Sequence, residues 1–229
     1  MNQYAESMLA LVPAREYDEN LPGKNVLPIN DTNLLVHKIR QLKQVFKTTD
    51  IHVSSESLEY LSLASGEGVS TEIRPMKFAG PEANFGDFVH HVASSLNCKH
   101  ILWASPTSPL VDERDFEQAI SIYFQALEQG YDSLITVNKI KRFLLDENGP
   151  LNFRFNIEDR DAAQLPVLYE FVNGIVIAPR ESMLKWRYNW GLLPYKLLLP
   201  LNKIVDICNN AEYDFAKFLA AGSRSVGPR

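Results

Sequence analysis

Apolar positions along this chain fall into two rhythms that take turns. Short continuous apolar runs such as Met8–Val12 are followed by longer stretches in which apolar residues recur every three or four positions. The first pattern suits a strand buried on both faces, and the second an amphipathic helix laid across it. Met8–Val12, closed by Pro13, is the expected first strand. Thr32 to about Lys47 reads as a helix with Leu35, Ile39, Leu42 and Phe46 on one face and Asp31 or Thr32 as its cap. Then follow a strand at Ile51–Ser54, a helix at Glu56–Ala64, a strand at Ser70–Ile73, a helix at Phe85–Leu96 with Phe85, Phe88, Val92 and Leu96 as its stripe, and a strand at His100–Ala104. Asp112–Gln129 is the next amphipathic helix, built on Phe116, Ile120, Tyr123 and Leu127 and ended by Gly130, before the strand Asp132–Val137.

This alternation predicts an α/β protein with a Rossmann-like open, mostly parallel sheet and helices on both faces, so ligands belong in the loops after the strands. Regularity breaks near Lys139, and residues 139–200 form a small excursion within one domain spanning residues 1–221, with ENGP (147–150) as its clearest turn. Asn173-Gly174 separates two apolar runs, giving either a hairpin or one strand interrupted by a glycine. Trp186, Tyr188 and Trp190 alternate as in a strand and suit a dimer contact or a sugar platform. A final helix is expected over Ala211–Ala221 with Phe215, Phe218 and Leu219 turned inward, and residues 222–229 read as a flexible tail.

Composition narrows the classes. The 229 residues carry a formal net charge of −5, which argues against a nucleic-acid polymer as partner and makes any phosphate site local. Two cysteines without a CxxC pair give no disulfide framework or structural zinc, and the amino terminus resembles neither a signal peptide nor an anchor, so a cytoplasmic protein without membrane attachment is expected. No Ser-His-Asp spacing supports a nucleophile, and His90-His91 point to different helix faces.

The chemistry concentrates in LALVPAREYDENLPGKN (residues 9–25), where a buried strand opens into a loop holding Arg15, Gly23, Lys24 and Asn25. An arginine grips a phosphate through two donors, a lysine adds a point charge, and a glycine lets backbone come close, which together suit a triphosphate. The spacing is not that of a Walker A loop. Arg74, before Pro75, stands at a strand end, and Ser105, Thr107 and Ser108 occupy a two-proline turn where hydroxyls also satisfy backbone groups. Asp206, after an apolar pair, has a strand-end setting.

VPAR followed by LPGKN resembles the nucleotide-binding signature of the CMP-sialic acid synthetase family. Arg74-Pro75, SPTSPL (105–110), Asn173-Gly174 and VDICNNAEYDF (205–215) resemble further family segments in the same order, so the likeness reaches about Ala220. The resemblance implies transfer of CMP from CTP to a sialic-acid-like keto-sugar acid, release of pyrophosphate, dependence on Mg2+, and a homodimer serving surface polysaccharide synthesis. It further implies that Arg15 and Lys24 hold the phosphates, Asn25, Arg74 and Asn84 meet the nucleotide, Ser105 and Asn173 lie near the sugar, and Asp206 binds the metal, with Arg15, Lys24 and Asp206 as the catalytic set.

The chain also departs from that pattern. The family's Gly-Ser-Lys-Arg run reads here Tyr17, Asp18, Glu19 and Asn20, which places anions where cations face a triphosphate; the second aspartate of DID is Cys208, a soft ligand unsuited to magnesium. Ser105 and Val111 replace the glutamine and arginine flanking PTSPL. These changes motivate two other readings: a nucleotide-binding homologue without catalysis, or a nucleotidyltransferase for another sugar.

Overall fold

The computed structural model describes residues 8–154 and 165–223. Strand β1 (Met8–Pro13) leads through a loop to a small hairpin, β2 (Pro28–Ile29) and β3 (Thr32–Asn33), and then to helix α1 (Leu34–Leu42). There follow β4 (Ile51–Ser55), α2 (Leu58–Gly66), β5 (Ser70–Ile73), α3 (Phe85–Ser95), β6 (His100–Ala104), α4 (Glu113–Glu128) and β7 (Ser133–Ile140). Beyond them come a hairpin β8 (Leu145–Asp146) and β9 (Gly149–Pro150), the long β10 (Leu168–Pro179), α5 (Arg180–Trp186), β11 (Pro194–Leu198) and α6 (Asn210–Ser223).

Seven strands form one sheet in the order β11-β7-β10-β6-β1-β4-β5, parallel throughout except for β10, which runs antiparallel to both neighbours. The alternation of β1 sets the two layers: Met8, Ala10 and Val12 pack with Leu35, Ile39, Tyr60, Phe116 and Tyr123 from α1, α2 and α4, while Leu11 faces Phe88, Val89, Val92 and Met183 from α3 and α5. Helices therefore cover both faces, as the periodicity predicted. A third cluster joins α6 to the loop after β1, with Leu21, Ile29 and Leu34 against Val205, Ile207, Ala216 and Ala220.

Several expectations are corrected. Thr32 and Asn33 are spent on the hairpin, so α1 begins at Leu34 and its cap is Asn33, whose side chain accepts from the Val36 N–H at 2.9 Å. Of the two readings of Asn173-Gly174, the single strand is found: β10 runs through it, with an irregularity in its pairing to β7 between Phe171 and Val176. Thr136 Oγ1 fills that gap, donating to Val172 O at 2.7 Å and accepting from the Ile175 N–H at 2.9 Å. Trp186 ends α5, and Arg187 in a left-handed conformation (φ 53°) turns the chain, so Trp186–Trp190 is not a strand. On α6 Ala216 and Ala220 are buried and Leu219 packs against the same cluster as expected, whereas Phe215 and Phe218 are exposed, because the helix turns the Ala216, Leu219 and Ala220 face to the fold. Residues 224–229 of the expected tail lie outside the described residues, and Gly222 and Ser223 belong to α6.

Candidate active site

After β1 the chain turns to β4 and β5 on one side, then crosses to β6 on the other, so the carboxyl ends of β1 and β6 part at a switch point of the kind where open sheets bind ligands. A cavity of about 490 Å3 opens there. Its walls include Arg15, Lys24, Asn25, Arg74, Asn84, Ser105, Asn173 and Asp206, so the fold gathers all eight residues singled out from sequence into one place.

The β1 loop is shaped by its own side chains. Gly23 takes φ 70°, a left-handed turn in which a side chain would be strained. Buried Asn25 donates to Arg15 O at 2.7 Å, which ties the two ends of the loop together. Asp18 corrects the expectation of an anion facing the cavity. It is buried, its Oδ1 accepts from the N–H groups of Asn20 and Leu21 at 3.1 Å each, and its Oδ2 lies 2.7 Å from Lys24 Nζ and 3.8 Å from Arg15 Nη2. Burial pushes the Asp18 carboxyl up, but Lys24 and the two backbone donors more than cancel that and leave it below its ordinary value. Glu19, by contrast, is exposed.

Arg74 is buried over the face of Phe88, 3.9 Å from the ring centroid, and donates through Nη2 to Ser54 O at 2.9 Å. Its Nε is buried without a partner among the described residues. Burial lowers its pKa to about 10, with Glu56 opposing and Arg15 adding to the fall, so the group stays cationic at neutral pH. Asn84 has a structural task as well as a place in the lining, since it caps α3 by accepting from the Asp87 N–H at 3.1 Å.

The Ser105–Val111 loop forms the opposite wall. Ser105 Oγ and Thr107 Oγ1 are 2.7 Å apart, Thr107 Oγ1 donates in turn to Asp206 Oδ1, and the Ile207 N–H donates to Thr107 O at 2.8 Å. Asp206 is thus clamped in a coil segment; it does not end a strand, and among the described residues it is the single carboxylate in the cavity lining. Burial raises its pKa, against the pull of the Thr107 hydroxyl and Lys24. From behind, α1 holds the same loop: Lys38 Nζ donates to Ser108 O at 3.0 Å and Val111 O at 2.8 Å, and Gln41 Nε2 to Pro109 O at 2.9 Å. Lys203 lies 2.6 Å from Asp112 and 2.7 Å from Asp115, the capping pair of α4.

The remaining wall is aromatic. Phe85 meets Tyr188 edge-on at 5.2 Å, Tyr188 meets Trp190 at 5.4 Å, Trp190 stacks on Phe171 at 6.0 Å, and Trp103 and Phe88 close the end at 5.8 Å. An Arg187–Asp87 ion pair holds the 187–190 loop down on α3.

A family model for cytidylyltransferases matches residues 9–152, more than half of the chain, from within β1 to just past the hairpin β8–β9. The chain belongs to the cytidylyltransferase family. It is 25% identical over 216 residues to the N-acylneuraminate cytidylyltransferase of Escherichia coli O18:K1:H7 (strain RS218 / NMEC), covering 91% of this chain and 51% of that protein. The chain therefore spans about half the length of that curated relative. Its fold matches a CMP:2-keto-3-deoxy-manno-octonic acid synthetase solved with CTP, with TM-score 0.67 and 13% identity over 96% of this chain and 100% of the other. It also matches a 4-diphosphocytidyl-2C-methyl-D-erythritol synthase from Anaerococcus prevotii, with TM-score 0.64 and 9% identity over 98% of this chain and 100% of that one.

Sequence reasoning missed Trp103, Phe171 and Asn189 as lining residues of the cavity. Trp103 sits inside an apolar strand and carries no local mark of a ligand wall. Asn189, a buried amide between two aromatic residues, was the legible signal. No helix among the described residues is long and apolar enough to cross a membrane.

Proposed function

We propose that the protein transfers CMP from CTP to the anomeric hydroxyl of a sialic-acid-like keto-sugar acid, releasing pyrophosphate. The observation that carries this reading is the convergence of Arg15, Lys24, Arg74 and a single carboxylate, Asp206, on one cavity at the switch point of a cytidylyltransferase fold. Arg74 Nε, a buried donor left without a partner, suits a carbonyl or ribose oxygen of the nucleotide, and Asn25 and Asn84 flank it with amides. The triphosphate belongs beside Arg15 and Lys24. The acceptor belongs along Ser105, Asn173, Tyr188 and Trp190, where aromatic faces take the C–H face of a sugar ring and the amides take its hydroxyls.

In this arrangement the sugar oxygen forms a bond to the α-phosphorus, the bond from that phosphorus to the α–β bridging oxygen breaks, pyrophosphate departs with the electron pair, and the hydroxyl proton is released to solvent. Charge neutralisation and in-line placement do most of the catalytic work in such transfers. Arg15 and Lys24 supply fixed charge, and the Thr107 clamp fixes the position of Asp206.

Magnesium fits the donors present. Asp206 is an oxygen donor held in place by Thr107 in the cavity lining, which suits an ion that prefers oxygen ligands and keeps water and substrate phosphates as the rest of its shell. Asp206 would hold it, and the ion would add charge neutralisation on the phosphates. Cys208, also in the lining, offers sulfur, and burial and the nearby Asp206 keep its thiol protonated. A homodimer belongs to the proposal, supported by Leu192, Leu193 and Leu198, which lie exposed on and just before the edge strand β11.

The test is calorimetric titration with CTP, ATP, GTP and UTP with and without magnesium, followed by pyrophosphate release with a panel of nonulosonic acids. Selective CTP binding with release for one acid establishes the reading. Selective CTP binding with no release across the panel favours a silent homologue or another sugar class, and no nucleotide binding removes the proposal.

A further inference from the structure

Asp18 stands where the two loop cations can both reach it, and its carboxylate holds Lys24 in a 2.7 Å ion pair. The pair is nearly buried, with side-chain exposures of 16% for Lys24 and 10% for Asp18. It is also fixed in direction, because Oδ1 is committed to the N–H groups of Asn20 and Leu21, which leaves Oδ2 aimed at the cations. Lys24 lines the cavity and Asp18 does not, so the carboxylate approaches the lysine from behind. Arg15 and Lys24 both reach Asp18 here, and Asp206 lies near enough to feel the charge of Lys24, which makes two cations and two anions. Their sum is zero, so the phosphate end of the cavity presents no net positive charge from these residues. The third cation of the lining, Arg74, is committed to Ser54 O and the Phe88 face.

We propose that Asp18 is a built-in competitor of the triphosphate: it occupies Lys24 until phosphate oxygens replace it, and it makes nucleotide affinity depend on a divalent cation arriving with CTP. The proposal rests on the cytidylyltransferase reading of the cavity. A triphosphate brings several negative charges toward a loop whose buried anion cannot turn to water, because its backbone partners and its pocket hold it. Without a divalent ion, Lys24 is shared between two anionic partners and each gains less from it. With the ion, the phosphates arrive largely neutralised, so they take over Lys24 from Asp18 against less repulsion from the buried carboxylate. Selectivity for the metal complex over free nucleotide then comes from repulsion, a device that needs no additional contact.

The experiment measures the Kd of CTP by calorimetry in excess magnesium and in EDTA for wild type, Asp18→Asn and Glu19→Gln. Asparagine keeps the Oδ1 acceptor for Asn20 and Leu21, removes the charge and replaces the Oδ2 acceptor of Lys24 by an amide nitrogen that cannot accept, so Lys24 is released from the pair. Glu19, in the same loop but exposed, controls for a general loss of negative charge. At the separations and effective dielectric of a half-buried site, removing one such charge amounts to roughly tenfold in affinity. The expected result is that Asp18→Asn tightens CTP in EDTA by about that factor, narrows the difference between magnesium and EDTA, and leaves Glu19→Gln within about twofold of wild type. Equal tightening by both variants, or no tightening by Asp18→Asn while wild type binds magnesium-CTP, overturns the competitor role and leaves the cavity assignment standing. Failure of wild type to bind CTP even with magnesium removes the cavity assignment and the competitor role together. Thermal melts of the three proteins, expected to agree within a few degrees, separate a charge effect from a damaged loop.

Discussion

Replacing Lys38 by methionine probes the support beneath the Ser105–Val111 loop. Lys38 is fully buried, its ammonium donates to Ser108 O and Val111 O, and it lies 5.1 Å from the centroid of the Phe116 ring. Burial drives its pKa down to about 7, with Asp115 and Asp112 opposing that fall and Lys203 adding to it. The sign follows from linkage. The folded value lies below the ordinary 10.5, so the unfolded chain holds the proton to higher pH, and folding releases it between about pH 7 and pH 10.5. This group's contribution to stability therefore rises as pH climbs above about 7 and levels off near its ordinary value. Each unit of separation is worth about 1.4 kcal/mol, so the whole span is on the order of a few kcal/mol. Methionine keeps the volume and removes the titration, but it leaves two buried carbonyls without their donor, at about 1–3 kcal/mol each. Urea unfolding of both proteins at pH 7, 8 and 9 gives the difference in stability, in which the titrations common to both cancel. Wild type is expected to gain on the variant by about 1 kcal/mol per pH unit over this range. A difference that stays flat with pH would refute the argument, because it would mean that Lys38 carries its proton equally in both states.

Four other outcomes are expected. Lys24→Ala weakens CTP binding roughly tenfold or more, measured by calorimetry with magnesium, because a cation leaves the phosphate end and Asp18 is left buried without its partner. Asp206→Asn lowers turnover in a pyrophosphate-release assay far more than it changes CTP affinity, since the side chain is held for the reacting phosphate by Thr107. Trp190→Ala raises KM for the acceptor roughly tenfold in the same assay and leaves CTP affinity unchanged, because Trp190 packs on Phe171 and Tyr188 in the aromatic wall. Gly174→Ala costs about 1–3 kcal/mol in urea unfolding, because a Cβ there would lie 3.0 Å from Val111 Cγ2 and 3.2 Å from Thr136 Oγ1, inside the irregularity that Thr136 fills.

Hydrophobic rhythm by itself determined the sheet and its covering helices. Periodicity is a local property, and a buried strand or an amphipathic helix declares itself within a dozen residues. Met8–Pro13, Ile51–Ser55, Ser70–Ile73 and His100–Ala104 accordingly fall within a residue of their expected bounds. The cavity lining was legible in part, because the loops after β1, β5 and β6, with Arg15, Lys24, Arg74 and Ser105, must share one edge of a parallel sheet, whereas Asp206 reaches the same cavity from a coil segment. Tertiary structure decided what those residues do to one another. Asp18 reads in sequence as an anion set against a triphosphate, yet its direction depends on two backbone N–H groups and on Lys24, six residues away. Thr107 and Asp206 are 99 residues apart and meet only because α6 pins the 205–207 segment against the β1 loop. Phe215 and Phe218 are exposed because α6 turns Ala216, Leu219 and Ala220 to the fold, and no local pattern records which face of a helix its partner surface will receive. A sequence states which groups are available within each element; which charge faces which is fixed by contacts between elements far apart in the chain, and those form only in the assembled fold.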